Sequence, residues 1–368
     1  MGNSYAKDDM IIGMSATIAN KQKLQQALAA ATRSGQQIVI CQVLLQLSIT
    51  HLQTGEYAQV EQYGQQGLRL AAKLHQTRLE MGFLTCLGNA AATQGDYQTA
   101  QKQFAAALNL AQRQNDPELM GQLHLNLGAI SANRGQYPQA VFHFTASLEL
   151  AQAYQQNQRL CLLWLHLGAI QVEIGGFEQA EETFRAALAL AQQLNNEERV
   201  AQAWLNLGLR AQAQEQPAEA EKLAHTALAL AQQLNNRELV TACLIALGAA
   251  ARDQQHYPQA NSWLGEALAL ARTMGHQWYI AGALLEWGEL YRQQGVADAA
   301  ATAFNEALSL AQMGDRPVQV AAALFGLAQI TADPAGAYQH AQTSLGIYQR
   351  LGHFRAPKVA GWLENGKP

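Results

Sequence analysis

The sequence predicts an all-α solenoid of eight helical hairpins with a capping helix at each end. Two observations fix this. The ten residues ALALAQQLNN at 187–196 return at 227–236, an offset of 40. Leu-Gly pairs keep the same phase at Leu87-Gly88, Leu127-Gly128, Leu167-Gly168, Leu207-Gly208 and Leu247-Gly248, as does alanine at Ala100, Ala140, Ala180, Ala220, Ala260 and Ala300. A fixed period of this length marks stacked units, each packing only on its neighbours.

Composition agrees. Of the 368 residues 49% are hydrophobic and 14% charged, well below the roughly 25% charged of an average soluble domain. Alanine and glutamine, both good helix formers, take up the difference. The net charge is −4 with no Lys/Arg-rich run, which argues against a nucleic-acid partner. No apolar run approaches the ~20 residues of a membrane span, and no apolar core of a secretory signal follows Met1. Cys41, Cys86, Cys161 and Cys243 are far apart and each lies in an apolar stretch. They read as core residues of a cytoplasmic protein rather than metal ligands, which need C-x₂₋₄-C spacing.

In chain order, residues 1–20 show no period and read as a partly disordered lead-in. Residues 21–364 form a single array. Its first element, 21–35, matches the second half of a repeat and ends on Gly35; either the array opens on a lone capping helix or the chain continues a longer one. Repeats start near 37, 77, 117, 157, 197, 237, 277 and 317. In each, a first helix with the Leu-Gly pair is followed by a turn such as Gly95-Asp96-Tyr97, where glycine supplies positive φ. A second helix follows with Ala-x₃-Phe-x₂-Ala-Leu-x-Leu-Ala, one apolar stripe at steps of three and four, as in Ala180, Phe184, Ala187, Leu188, Leu190 and Ala191. At the junctions Asp116 and Asp315 are suited to cap the next helix, and Pro117 to its first position. The mid-helix glycines imply a close crossing, with Gly168 expected to face Ala180. The last repeat loses three residues at 331–335. A cap at 357–364 presents Val359, Trp362 and Leu363, and 365–368 is a tail.

The first-helix Leu-Gly, the aromatic after the turn glycine, and Ala-x₃-Phe with Ala-Leu together resemble the tetratricopeptide repeat (TPR). The 40-residue length exceeds the 34-residue consensus and is similar to kinesin-light-chain-type TPRs and to the TPR sensor regions of bacterial signal-transduction ATPases. The resemblance implies a right-handed superhelix whose first helices line a concave groove. It places Asn89, Leu125, Asn126, Leu165, Gln202, Leu205, Asn206, Leu209, Arg252, Glu289 and Arg292 on that groove as residues that bind a peptide or protein.

Asn89 and Asn126, 37 residues apart, belong to neighbouring first helices. Peptide-gripping family members place asparagines this way, because a carboxamide pairs with both N–H and C=O of a main chain. Asn206 is in line with Asn126. Thr85 and His166 stand where chaperone-tail TPRs carry basic residues, so a terminal-carboxylate clamp is not expected. Arg252, Glu289 and Arg292, with Asp253, read as an ion-pair network or a polar ligand patch. His124, His143 and His166 have neither an i, i+4 pair nor a carboxylate partner for a metal. No nucleophile, phosphate-loop or dinucleotide motif occurs, so neither enzyme activity nor a cofactor is expected. The expected function is a binding scaffold, the sensor or regulatory region of a bacterial signalling protein. The alternative is a structural array that self-assembles through its ends into a homo-oligomer.

Overall fold

The computed structural model describes residues 5–365, with side chains from residue 19 onward. Among the described residues all regular structure is helical. The chain divides into two compact units, Met1–Ile130 and Ser131–Pro368, where the sequence reads as one array. Unit 1 holds α1 (Tyr5–Arg33), α2 (Gln37–Gln53), α3 (Tyr57–Lys73), α4 (Thr77–Thr93), α5 (Tyr97–Gln114) and most of α6 (Pro117–Asn133). Unit 2 begins with α7 (Tyr137–Ala153), α8 (Asn157–Glu173), α9 (Phe177–Gln193), α10 (Glu197–Ala213), α11 (Pro217–Gln233) and α12 (Arg237–Asp253). It ends with α13 (Tyr257–Met274), α14 (Gln277–Gln293), α15 (Ala297–Met313), α16 (Pro317–Ile330), α17 (Pro334–Leu351) and α18 (Ala356–Glu364). The helix α1 starts at Tyr5, inside the stretch expected to be a lead-in; residues 1–4 and 366–368 lie outside the described ones. No described helix is long and apolar enough to cross a membrane.

The helices stop at regular intervals because every twentieth residue from Gly35 to Asp315 is left-handed, with φ between 47° and 83°. Glycine holds this conformation at Gly95 and Gly175, whereas the opposite junctions use Asn115, Asn195 and Asn235. Each left-handed residue closes a Schellman motif. In one, Asn195 N–H donates to Gln192 O at 3.1 Å and Asn196 N–H to Ala191 O at 2.9 Å. The Asn-Asn pair thus does two jobs: Asn195 ends α9, and the Asn196 side chain caps α10 by accepting from Arg199 N–H at 3.1 Å. Asp116 caps α6 in the same way, accepting from Leu119 N–H at 3.0 Å. Asp315 does not cap. It takes the left-handed position itself (φ 47°), Arg316 becomes the residue before α16, and the Asp315 carboxylate pairs with Arg134 at 2.8 Å.

The core is a run of three-helix clusters. Leu123 and Leu127 of α6 meet Leu84 of α4 and Phe104 of α5. Cys161 and Leu165 of α8 meet Phe184 and Ala187 of α9 and Leu207 of α10. At the end, Val359, Trp362 and Leu363 of α18 pack with Phe325 and Tyr348. Gly88, Gly168 and Gly288 make room for a phenylalanine ring, and Gly248 for Leu264. A Cβ on Gly168 would lie 2.5 Å from Phe184 Cε1, and one on Gly88 2.6 Å from Phe104 Cε1. The atoms nearest a Cβ on Gly168 belong to Phe184, one helical turn beyond the Ala180 expected to face it. All four cysteines are free and buried, and the Cys161 thiol points to Ala187 O at 3.4 Å.

Candidate functional site

Within unit 1 the structure brings Asn89 of α4 and Asn126 of α6 together. Asn126 Nδ2 donates to Asn89 Oδ1 at 3.4 Å, and Asn126 Oδ1 accepts from Gln122 Nε2 at 3.1 Å. Gln122, one turn before Asn126, completes a row of three carboxamides, all partly buried. Sequence reasoning missed Gln122, although its i, i+4 spacing to Asn126 is the signal. Thr85 turns its hydroxyl back to Met81 O at 2.8 Å, so it adds no donor to the row. Leu125 is 6% exposed and belongs to the core.

Within unit 2, Leu165 and Leu205 are 4% and 6% exposed and pack between helices, offering little surface to a ligand. Leu209 is 44% exposed and shares a face with the partly buried Gln202 and Asn206. Gln202 is engaged by its own helix, accepting from Arg199 Nη1 at 2.6 Å and donating to Glu198 Oε1 at 3.3 Å. His166 stacks on Phe144 with ring centroids 5.0 Å apart, and burial together with the Arg199 charge brings its pKa down to about 4.

The charged residues pair internally. Arg252, 7% exposed, bonds Asp253 at 2.8 Å and also Glu286. Arg292 Nε bonds Glu289 at 2.7 Å. Burial opposes the charge on Arg252, but Glu286 and Asp253 outweigh it and raise the pKa. Burial likewise opposes the Glu289 carboxylate, and Arg292 with Arg252 holds it below the ordinary range. Glu286 is the member of this network that the sequence did not reveal.

A second constellation was not anticipated at all. The last residue of α17, Leu351, and residues 352–355 before α18 lie against the early helices of unit 2. Phe354 N–H donates to Glu173 O at 3.0 Å, and His353 Nε2 meets Glu173 Oε2 at 2.9 Å. Arg355 N–H donates to His353 Nδ1 at 3.0 Å, so the hydrogen bonding assigns the ring proton to Nε2, where Glu173 accepts it. Tyr137 Oη adds a bond to the same carboxylate at 3.1 Å. The Phe354 and Phe177 rings meet edge-on at 5.5 Å. Burial pushes the Glu173 carboxyl up, but the bonds from His353 and Tyr137 and the charge on Arg355 prevail and keep it below the ordinary glutamate value.

The tetratricopeptide-repeat family model matches residues 81–153 and 199–273. Over those two stretches the chain carries TPR-type repeats. No curated protein matches the chain in sequence. Among solved structures it is similar to a Rap protein complexed with competence and sporulation factor, at 15% identity over 96% of this chain and 99% of that one, with a TM-score of 0.67. It is also similar to the Rap conjugation gene regulator of plasmid pLS20 in complex with the Phr* peptide, at 13% identity over 84% and 94%, with a TM-score of 0.66. A third likeness is to a signal-transduction ATPase with numerous domains from Pyrococcus horikoshii that carries a TPR sensor. There the identity is 15% over 86% of this chain and 49% of that one, with a TM-score of 0.51. At these identities the likeness is one of fold.

Proposed function

We propose that this TPR chain is a non-catalytic scaffold that binds a peptide or protein segment on the exposed faces of its first helices. On this reading it serves as the sensor or regulatory region of a bacterial signalling protein. The Gln122–Asn126–Asn89 row is the observation that carries the reading. Each carboxamide offers N–H and C=O in one plane, as a peptide bond does, so a row of them suits a main chain whatever its side chains. Rigid helices on both sides fix the row before any ligand arrives, which limits the ordering cost of binding. The Rap structures of the same fold, one with competence and sporulation factor and one with the Phr* peptide, support the same reading. Because Arg252, Arg292, Glu286 and Glu289 are matched among themselves, the segment they favour is apolar or weakly charged.

The test is selection of peptides from a random display library on the full chain, followed by Asn126→Ala and Asn89→Ala. Loss of one hydrogen bond is worth about 0.5–1.5 kcal/mol, so each substitution weakens the selected peptides by roughly two- to tenfold with the melting temperature unchanged. An unchanged Kd rejects the reading.

A further inference from the structure

Among the described residues two arginines are more than nine-tenths buried, Arg252 at 7% and Arg316 at 6% exposure. Arg252 has the partners such burial demands, Asp253 and Glu286. Arg316 does not: its Nε and Nη1 are buried with no hydrogen-bond partner. The neighbouring Asp315 carboxylate is turned to Arg134 instead. A guanidinium taken out of water with nothing to pair is costly, and its place in the fold shows what it lacks.

Arg316 is the residue before α16. At the same position of earlier repeats Asp116, Asn196 and Asn236 cap their helices, accepting from the N–H groups of Leu119, Arg199 and Leu239. Arginine has no acceptor, so α16 starts without a side-chain cap and with a cation at the positive end of its dipole. An anion is what both features call for.

Three neighbours complete the place. Gln319, one turn into α16, lies over Gly282 of α14 and donates Nε2 to Trp278 O at 3.4 Å, while its Oε1 is buried and unpartnered. His276, the residue before α14, has its ring 4.6 Å from that of Tyr279, and its Nδ1 is likewise buried and unpartnered. Burial lowers the His276 pKa; Glu238 opposes this and the Arg316 charge adds to it, so the ring is neutral at pH 7. Of the nine buried side-chain N and O atoms without a partner among the described residues, four belong to Arg316, Gln319 and His276. They gather at the adjoining ends of two packed helices, α14 and α16. The guanidinium itself lies folded over Gly314, where a Cβ would be 2.6 Å from its Cζ and Nε. No bond pins it there, so its long stem is free to turn toward a ligand.

We propose that the adjoining ends of α14 and α16 form a binding site for a carboxylate with an amide N–H on its α-carbon: Arg316 takes the carboxylate and Gln319 Oε1 the N–H. The C-terminal residue of a peptide and a free N-acyl amino acid share that chemistry. One cation beside a neutral histidine suits a monoanion, and the planar fork of the guanidinium meets both carboxylate oxygens at once. The site does not rest on the carboxamide row of unit 1. Its test uses a single-residue probe, so failure of either test leaves the other standing.

The full chain, labelled with ¹⁵N-arginine, is titrated with N-acetylglycine at constant ionic strength while the side-chain Nε–H signal of Arg316 is followed by NMR. The signal is identified by its loss in Arg316→Lys. N-acetylglycine should move it saturably. N-acetylglycinamide, which keeps the N–H and lacks the carboxylate, should leave it in place. Acetate, which lacks the N–H, should bind roughly two- to tenfold more weakly, the worth of one hydrogen bond, and Gln319→Ala should bring N-acetylglycine down to the affinity of acetate. An Arg316 signal that N-acetylglycine does not move, or that N-acetylglycinamide moves equally, overturns the site; both results come from the unmutated side chain and need no variant beyond the assignment. Acetyl-alanyl-alanyl-glycine distinguishes the sources: a preference of about tenfold or more over N-acetylglycine assigns a peptide terminus, and a smaller one assigns a free N-acyl amino acid.

Discussion

The Phe184 ring occupies the space that a Cβ on Gly168 would need, with Cε1 only 2.5 Å from that position. The glycine costs α8 roughly 0.5–1 kcal/mol in helix propensity, and burial of a whole phenyl ring offsets it. Gly208 has the same place in its own repeat, but Ala224 replaces the ring, and the nearest atoms to its Cβ position are Ala220 O at 3.3 Å and Leu223 Cβ at 3.4 Å. Gly168→Ala should therefore destabilise by about 1–3 kcal/mol through overpacking. Gly208→Ala should cost clearly less. Urea midpoints of the two variants check the difference; equal losses would refute the ring-against-glycine account.

The turn geometry gives a prediction free of packing. Glu215 and Gln255 hold left-handed backbones at φ 58° and 61°, where most repeats have glycine. An L-residue there carries about 1–2 kcal/mol of strain, reduced on replacement by the entropy that glycine adds to the unfolded chain. Glu215→Gly and Gln255→Gly should each raise stability by about 0.5–1 kcal/mol. Gly295→Ala, with no atom within 4 Å of its Cβ position and φ 76°, should lower it by about 1 kcal/mol through the backbone alone. Thermal melts of the three variants suffice.

These pairs also show how much of the molecule was legible in the sequence. Local rules fixed the hairpins: the three-and-four stripe around Phe184, the turn glycines, and the Asp116 cap all act within one or two turns of chain. Asn89 and Asn126 were legible because the repeat period converts a 37-residue separation into adjacency on neighbouring helices. The division after Ile130 left no signal, since Asn133-Arg134-Gly135 reads like every other turn. The contact of His353 and Phe354 with Glu173 was invisible for a deeper reason. His353 and Glu173 are joined by the accumulated curvature of several hairpins, a sum of small rotations that no residue encodes. Asp315 was misread as a cap for a local reason: it is in phase with Asn115, Asn195 and Asn235 at the left-handed position, which leaves Arg316 as the residue before α16.

Glu173 makes its contact with His353 and Tyr137 sensitive to acid. Its folded pKa is depressed relative to the unfolded value of about 4.3, so its contribution is complete above that value and is lost as pH falls through the folded pKa. The radius of gyration from solution scattering should hold steady from pH 7 to about 5 and increase below about 4. Glu173→Gln, which keeps the shape but cannot titrate, should flatten this step; an undiminished step in that variant would assign the acid response to other groups.

The carboxamide row bears the functional claim, and it predicts recognition of main chain rather than side chains. The most direct measurement is calorimetric titration of the full chain with a display-selected peptide and with versions of it N-methylated at one amide at a time. Methylation at the amide that meets the Asn126–Asn89 pair should weaken binding by roughly two- to tenfold, the worth of one hydrogen bond, and Asn126→Ala should abolish the difference between methylated and parent peptide. Equal affinities for the parent and every methylated peptide would contradict the account.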